Sequence, residues 1–185
     1  MSLFLQIDIE PSFGLSVPAG SVLSIFQCLA HDDPLEPVDL LVPKKDEALA
    51  PDYWDRTYSA ILLAAPDRQL QTAEREPNIE YAGLASQAER EPPARSAEAL
   101  NFKNVKIGGV PFWVQKPRRW RCSCGAKMSF LCSVPENFLF RRVVGSPSQP
   151  GGRADGYFLF LGLSTHIFAC SAGCDPRALI PILQN

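Results

Sequence analysis

Histidine is scarce in this chain, with two among 185 residues. Most general-base constellations use an imidazole, so that scarcity nearly excludes them. The sequence also lacks a nucleophile elbow, a phosphate loop and a dinucleotide fingerprint. Gly108-Gly109 and Gly151-Gly152 read as turns, since neither is followed by a helical pattern or a Lys-Ser/Thr pair. Carboxylates are plentiful but scattered, which gives a hydrolase no recognisable pair. An excess of charge is missing too. Lys and Arg number 18 against 20 Asp and Glu, and a net charge of -2 creates no field to gather nucleic acid or an anionic membrane. No apolar run approaches the roughly 20 residues of a membrane span. The opening residues carry no basic segment and meet Asp8 almost at once. The expectation is a cytoplasmic protein with no membrane partner.

What is present supports a globular domain. Apolar residues make up 46% and aromatics 10%, enough for a core. The 17 prolines, spread along the chain against 12 glycines, interrupt most candidate helices and leave short extended segments. A mainly β fold follows, with α+β as the alternative. Strands are predicted at Leu3–Ile9, Arg56–Ala64 and Ser129–Val134, with one more inside each of the segments Gly20 to Pro34 and Gly162 to Pro176.

Gly20 to Pro34 aligns without gaps on Gly162 to Pro176 in the frame G-x4-I-F-x-C-x-A-x2-D-P, with seven identities in fifteen positions. Each copy follows another apolar run and ends in Asp-Pro, where the residue before proline leaves the helical region. Short β-rich segments do drift toward similar compositions, but this density of identity favours a duplication with pseudo-twofold halves. The expected organisation is one domain, residues 1–185. Residues 1–64 form a first β half, 65–100 a polar connector and 101–185 a second β half. Ile79, Tyr81 and Leu84 offer the connector a docking point.

Six cysteines in a reducing compartment point to metal rather than disulfides. Cys122-Ser123-Cys124-Gly125 and Cys170-Ser171-Ala172-Gly173-Cys174 form two candidate turns, each with a glycine beside the ligands. Two such pairs suit tetrahedral zinc in a closed, ribbon-like structural site. The weaker feature is C-x-C, tighter than the usual C-x2-C; four reduced thiols packed as small hydrophobes are the alternative. His166 reads as packed or solvated rather than ligating, and Cys28 and Cys132 as core. A catalytic zinc would need an open position and a neighbouring acid or base, which these residues do not provide.

The run Lys116-Pro117-Arg118-Arg119-Trp120-Arg121, with Trp113 upstream, is the most conspicuous polar feature. It admits three readings: a solvated loop whose Trp packs on the zinc turn, a protein-binding surface, or an RNA contact. The candidate partner-binding residues are Trp113, Arg118, Arg119, Trp120 and Arg121.

Gly108 to Gln115, Cys122 to Leu131, Ile167 to Cys170 with Cys174-Asp175-Pro176, and Gln184 together resemble the YwqG-like family. Phe4–Ile9 and Gly20–Phe26 look like its first half, while residues 35 to 100 carry no likeness. That family is related to the eukaryotic programmed cell death protein two. The resemblance implies a duplicated β-rich fold and protein or peptide binding, as chaperone-like escort or toxin neutralisation, without established catalysis. The chain departs from the family in lacking its upstream tryptophan and proline segment, so the first sheet is expected to be trimmed at one edge. The leading expectation is a non-enzymatic binder of one protein, such as an immunity protein facing a toxin. A chaperone-like escort, an RNA-contacting accessory protein and a zinc hydrolase are the alternatives.

Overall fold

The structure, a computed structural model, describes residues 1–31, 59–66, 76–88, 103–117, 120–122 and 124–184. It is mainly β, with antiparallel sheets. The strands are β1 (Ser2–Asp8), β2 (Val22–Gln27), β3 (Ser59–Ala64), β4 (Lys106–Ile107), β5 (Met128–Val134), β6 (Leu139–Arg141), β7 (Gly156–Phe158), β8 (Ser164–Cys170) and β9 (Leu179–Gln184). Three sheets result, in the orders β1-β2-β3, β4-β5-β8-β9 and β6-β7. The amide of Leu63 in β3 donates to the carbonyl of Pro176, just ahead of β9, at 2.9 Å and ties the two larger sheets together.

The two larger sheets share a ladder pattern. In the first, β1 runs antiparallel to β2, and the register shifts between Leu3 and Leu5, opposite Phe26 and Ile25. In the second, β5 runs antiparallel to β8, and the register shifts between Phe130 and Cys132, opposite Phe168 and Ile167. β3 and β9 then complete each ladder on the far side of β2 and β8. The left-handed Gly20 and Gly162, at φ 82° and 75°, stand shortly before β2 and β8.

Period-two alternation sorts the second sheet into two apolar layers. Leu131, Val134, Ile167, Ala169 and Leu179 join Leu23, Ile25 and Ile61 of the first sheet, together with Tyr157 of β7, in one core. The opposite face carries Met128, Phe168, Cys170, Ile180 and Ile182, packed with Trp113, Trp120 and Phe130. Every residue of β8 is therefore buried.

Part of the connector is docked. Leu3 donates its amide to the Glu76 carboxylate at 3.0 Å, and Ile79, in the core, bridges to Arg142. Tyr81 and Leu84, expected to dock beside Ile79, are exposed instead, because the chain leaves the β6 edge after Glu80. Residues 56–58 of the expected third strand, and most of the remaining connector, lie outside the described residues.

The β6–β7 ladder leaves no room at Gly156. A Cβ there would lie 2.5 Å from the Phe140 carbonyl oxygen and 2.7 Å from Leu139 Cδ1. Gly156→Ala should cost about 1–3 kcal/mol by overpacking. Urea unfolding checks this: the midpoint should fall at unchanged slope, and an unmoved midpoint would refute the packing argument.

Candidate metal centre

The four cysteines of the two turns come together. The Sγ atoms of Cys122, Cys124, Cys170 and Cys174 all lie within 4.8 Å of one another. Cys122 and Cys174 are 3.4 Å apart, and Cys124 and Cys170 are 3.5 Å apart. A tetrahedral shell with metal–sulfur bonds of about 2.3 Å has sulfur–sulfur edges of roughly 3.8 Å, between the two short contacts and the 4.8 Å limit, so small shifts of the sulfurs suffice to hold an ion. The donor set is all thiol, which suits soft or borderline metals over magnesium or calcium.

Local chain geometry explains the convergence. The amide of Gly125 donates to the Cys122 carbonyl, and that of Cys122 to the Ala126 carbonyl, closing a tight turn. Gly125 has φ 88°, which its lack of a side chain permits. On the other side, Gly173 at φ 57° donates its amide to the Cys170 carbonyl. The Ser171 amide bonds the Lys127 carbonyl at 3.0 Å, which stitches the two turns together. Cys122 and Cys170 are buried, whereas Cys124 and Cys174 are exposed.

Burial raises the Cys170 thiol, but the amides of Cys174 and Ala172, with the Cys124 and Cys174 thiols, more than reverse this and leave it near 7, at about 7 against an ordinary 9.0. Cys174 is held well above its usual range, first by burial and then by hydrogen bonding to the thiols of Cys122, Cys170 and Cys124. Cys170 thus gives up its proton more readily than Cys174. A bound dication would supply the charge that stabilises four thiolates together.

A strap crosses the same face of the sheet. His166 lies on β8 four residues before Cys170, hence on the same side. Ser133 Oγ and His166 Nδ1 are 2.6 Å apart, and His166 Nε2 lies 3.2 Å from the Phe112 carbonyl oxygen. The Nε2–H tautomer satisfies both: the serine donates to Nδ1 and the ring donates to the carbonyl. Gln184 Oε1 accepts the amides of Val114 at 2.8 Å and Gln115 at 3.2 Å. Trp113 meets the His166 ring edge-on at 5.3 Å and stacks on Phe168 at 5.9 Å.

Among the five candidate partner residues, Trp113 and Trp120 are half-buried against the face that carries Cys122 and Cys170. Arg121 is exposed, with Nη1 donating to the Gly125 carbonyl at 3.0 Å. Arg118 and Arg119 lie outside the described residues. Cys132 sits in the core, where burial pushes its thiol up to about 12. Cys28, also expected in the core, is only half-buried. The parts that sequence reasoning missed are Ser133 and the side-chain role of Gln184; nothing in their spacing signals a strap.

Compared with models of protein families, with curated proteins and with solved structures, the chain gives no match. The YwqG-like resemblance stands on its motifs alone.

Burial lowers the His166 pKa from 6.5 to about 4, outweighing the Phe112 carbonyl and Gln184, which raise it. In the unfolded chain the ring titrates near 6.5, so below that pH the unfolded state takes up a proton that the folded state refuses. This contribution is fully present above about pH 6.5 and is lost as pH falls toward 4, amounting to about 3 kcal/mol. Denaturant melts of the native chain and His166→Gln between pH 7.5 and 4.5 should show a shallower pH slope for the variant. Thiol titration is common to both chains, so parallel slopes would refute it.

Proposed function

We propose that the protein is a non-enzymatic binding module for one protein partner, acting in the cytoplasm, with a structural zinc holding its second half. One observation carries this reading: a strap fixed by side-chain hydrogen bonds presents Val110 and Val114 to solvent, at 56% and 44% exposure, on the face whose other end holds the four-thiol cluster. Apolar groups held rigidly before binding lose less entropy when a partner covers them. Trp113 lies between them, half-buried, and Trp is among the residues that dominate binding energies. Four thiolates would fill a tetrahedral shell and leave no position for a reacting water, which argues for structural zinc over a zinc hydrolase. A reducing compartment keeps those thiols free for metal. Toxin neutralisation fits a single rigid protein-binding surface.

The same reading takes β1-β2-β3 and β5-β8-β9 as copies of one unit related by a pseudo-twofold. It is supported by the repeated sequence frame and by ladder shifts at corresponding positions, opposite Phe26 and Ile25 in one and Phe168 and Ile167 in the other.

Elemental analysis of protein purified under reducing conditions without chelator should find about one equivalent of zinc, because four clustered thiolates bind it strongly enough to contribute folding energy. Less than half an equivalent of any metal would defeat this part of the reading. For the surface, Val110→Asp with Val114→Asp should leave the melt unchanged while capture of the partner from lysate falls about tenfold or more. Capture at undiminished affinity would show that the strap is not the binding surface.

A further inference from the structure

Five of the six cysteines have a structural place: four converge at the metal centre and Cys132 lies in the core. Cys28 belongs to neither group. It follows β2 directly, and Leu29 and Ala30 form a tight turn anchored by the buried Leu29 side chain. The turn brings His31 back over the sulfur, with Sγ and Nδ1 3.1 Å apart. Cys28 is half-buried and His31 exposed, so a small molecule in solvent can reach the pair.

We propose that Cys28 and His31 form a thiol–imidazole site that reacts with low-molecular-weight disulfides and stores a mixed disulfide on Cys28. The thiolate is the attacking species in such exchange, and an adjacent base generates it. The thiol proton passes to His31 Nδ1. The Cys28 sulfur attacks one sulfur of a disulfide R–S–S–R, a new S–S bond forms as the old one breaks, and RS⁻ leaves. His31 returns the proton to RS⁻, so the products are Cys28–S–S–R and RSH. The incoming disulfide is the oxidant, and no other electron acceptor takes part.

The other cysteines are placed to stay out of this chemistry. Cys132 is 1% exposed and holds its proton. The four clustered thiols lie within 4.8 Å of one another, and on the proposed reading of that cluster as a zinc site the metal would mask their sulfurs. Selectivity for Cys28 thus rests on the metal-loaded state of the cluster.

The test incubates the metal-loaded full chain with oxidised glutathione at neutral pH and maps adducts by peptide mass spectrometry. One glutathionyl group per chain is expected, on Cys28, and none at that turn in Cys28→Ser. His31→Ala should slow the reaction about tenfold or more, since a positioned base typically contributes at least that much. His31→Asn, which keeps a polar group near the sulfur without accepting its proton, should slow it equally. A shielding role for His31 predicts the reverse, because its removal would expose the sulfur. Iodoacetamide labelling of Cys28 in urea should be equal in all three chains, which ties any difference to the folded site. The proposal is overturned by adducts on Cys124 or Cys174 in place of Cys28, by an undiminished rate in His31→Ala, or by a second metal equivalent that protects Cys28.

Discussion

The burial of β8 on both faces is the constraint from which the rest of the second half follows. A strand in an antiparallel sheet commonly keeps one face in water, yet Ile167 and Ala169 point into the main core while Phe168 and Cys170 point into a second layer. That second layer has no strand or helix to cover it among the described residues. Irregular chain does the covering, and irregular chain over a sheet must still find partners for its peptide groups. His166 takes the Phe112 carbonyl, and Gln184 takes the Val114 and Gln115 amides. The turns that bring the cysteines together close the other end of the same face.

Glutamine amides serve this purpose three times. Gln27, Gln149 and Gln184 are all buried, at 3%, 6% and 3% exposure, and each bonds backbone groups, Gln184 bonding the His166 ring as well. Gln149 donates to the Phe158 carbonyl at 3.0 Å and accepts the Phe158 amide at 2.8 Å, as an opposing strand residue would. Gln27 reaches from β2 to the same carbonyl at 3.3 Å and accepts the Phe160 amide at 2.9 Å, linking the first sheet to the β7 hairpin. Carrying both a donor and an acceptor, the side-chain amide copies a peptide group wherever a ladder stops short. The sheets are short, and these residues extend their hydrogen bonding into the loops.

This division of labour explains what could be read from the residues alone. The strands Leu3–Ile9 and Ser129–Val134 were legible because apolar runs bounded by proline and glycine carry a local signal. The cysteine turns were legible because glycine beside closely spaced thiols is a local pattern as well. The β6–β7 hairpin was not, since its strands have three residues each and show no period. The partners of Gln27, Gln184 and Ser133 were not legible either: Gln27 meets a carbonyl 131 residues away, and a polar residue in an apolar run does not announce which. Cys28 was expected in the core, yet β2 ends one residue earlier and the thiol falls at the start of the turn.

The turns that follow β2 and β8 occupy matching places in the two ladders and hold a cysteine in the same frame, Cys28 in one and Cys170 in the other. What differs is the company each keeps. Cys170 has Gly173 three residues on, whose left-handed backbone lets Cys174 turn back toward the second pair of thiols. Cys28 has His31 at that position, so a ring nitrogen rather than a further chain reversal meets the sulfur. On our reading of the halves as copies, the turn that builds a four-thiol shell carries Gly173 and Cys174 where the turn that pairs a thiol with a base carries His31 and Asp32. The shell requires a second turn to supply its other half, and Cys122 and Cys124 provide it ahead of β5. A thiol–imidazole pair needs only the two side chains that its own turn brings together.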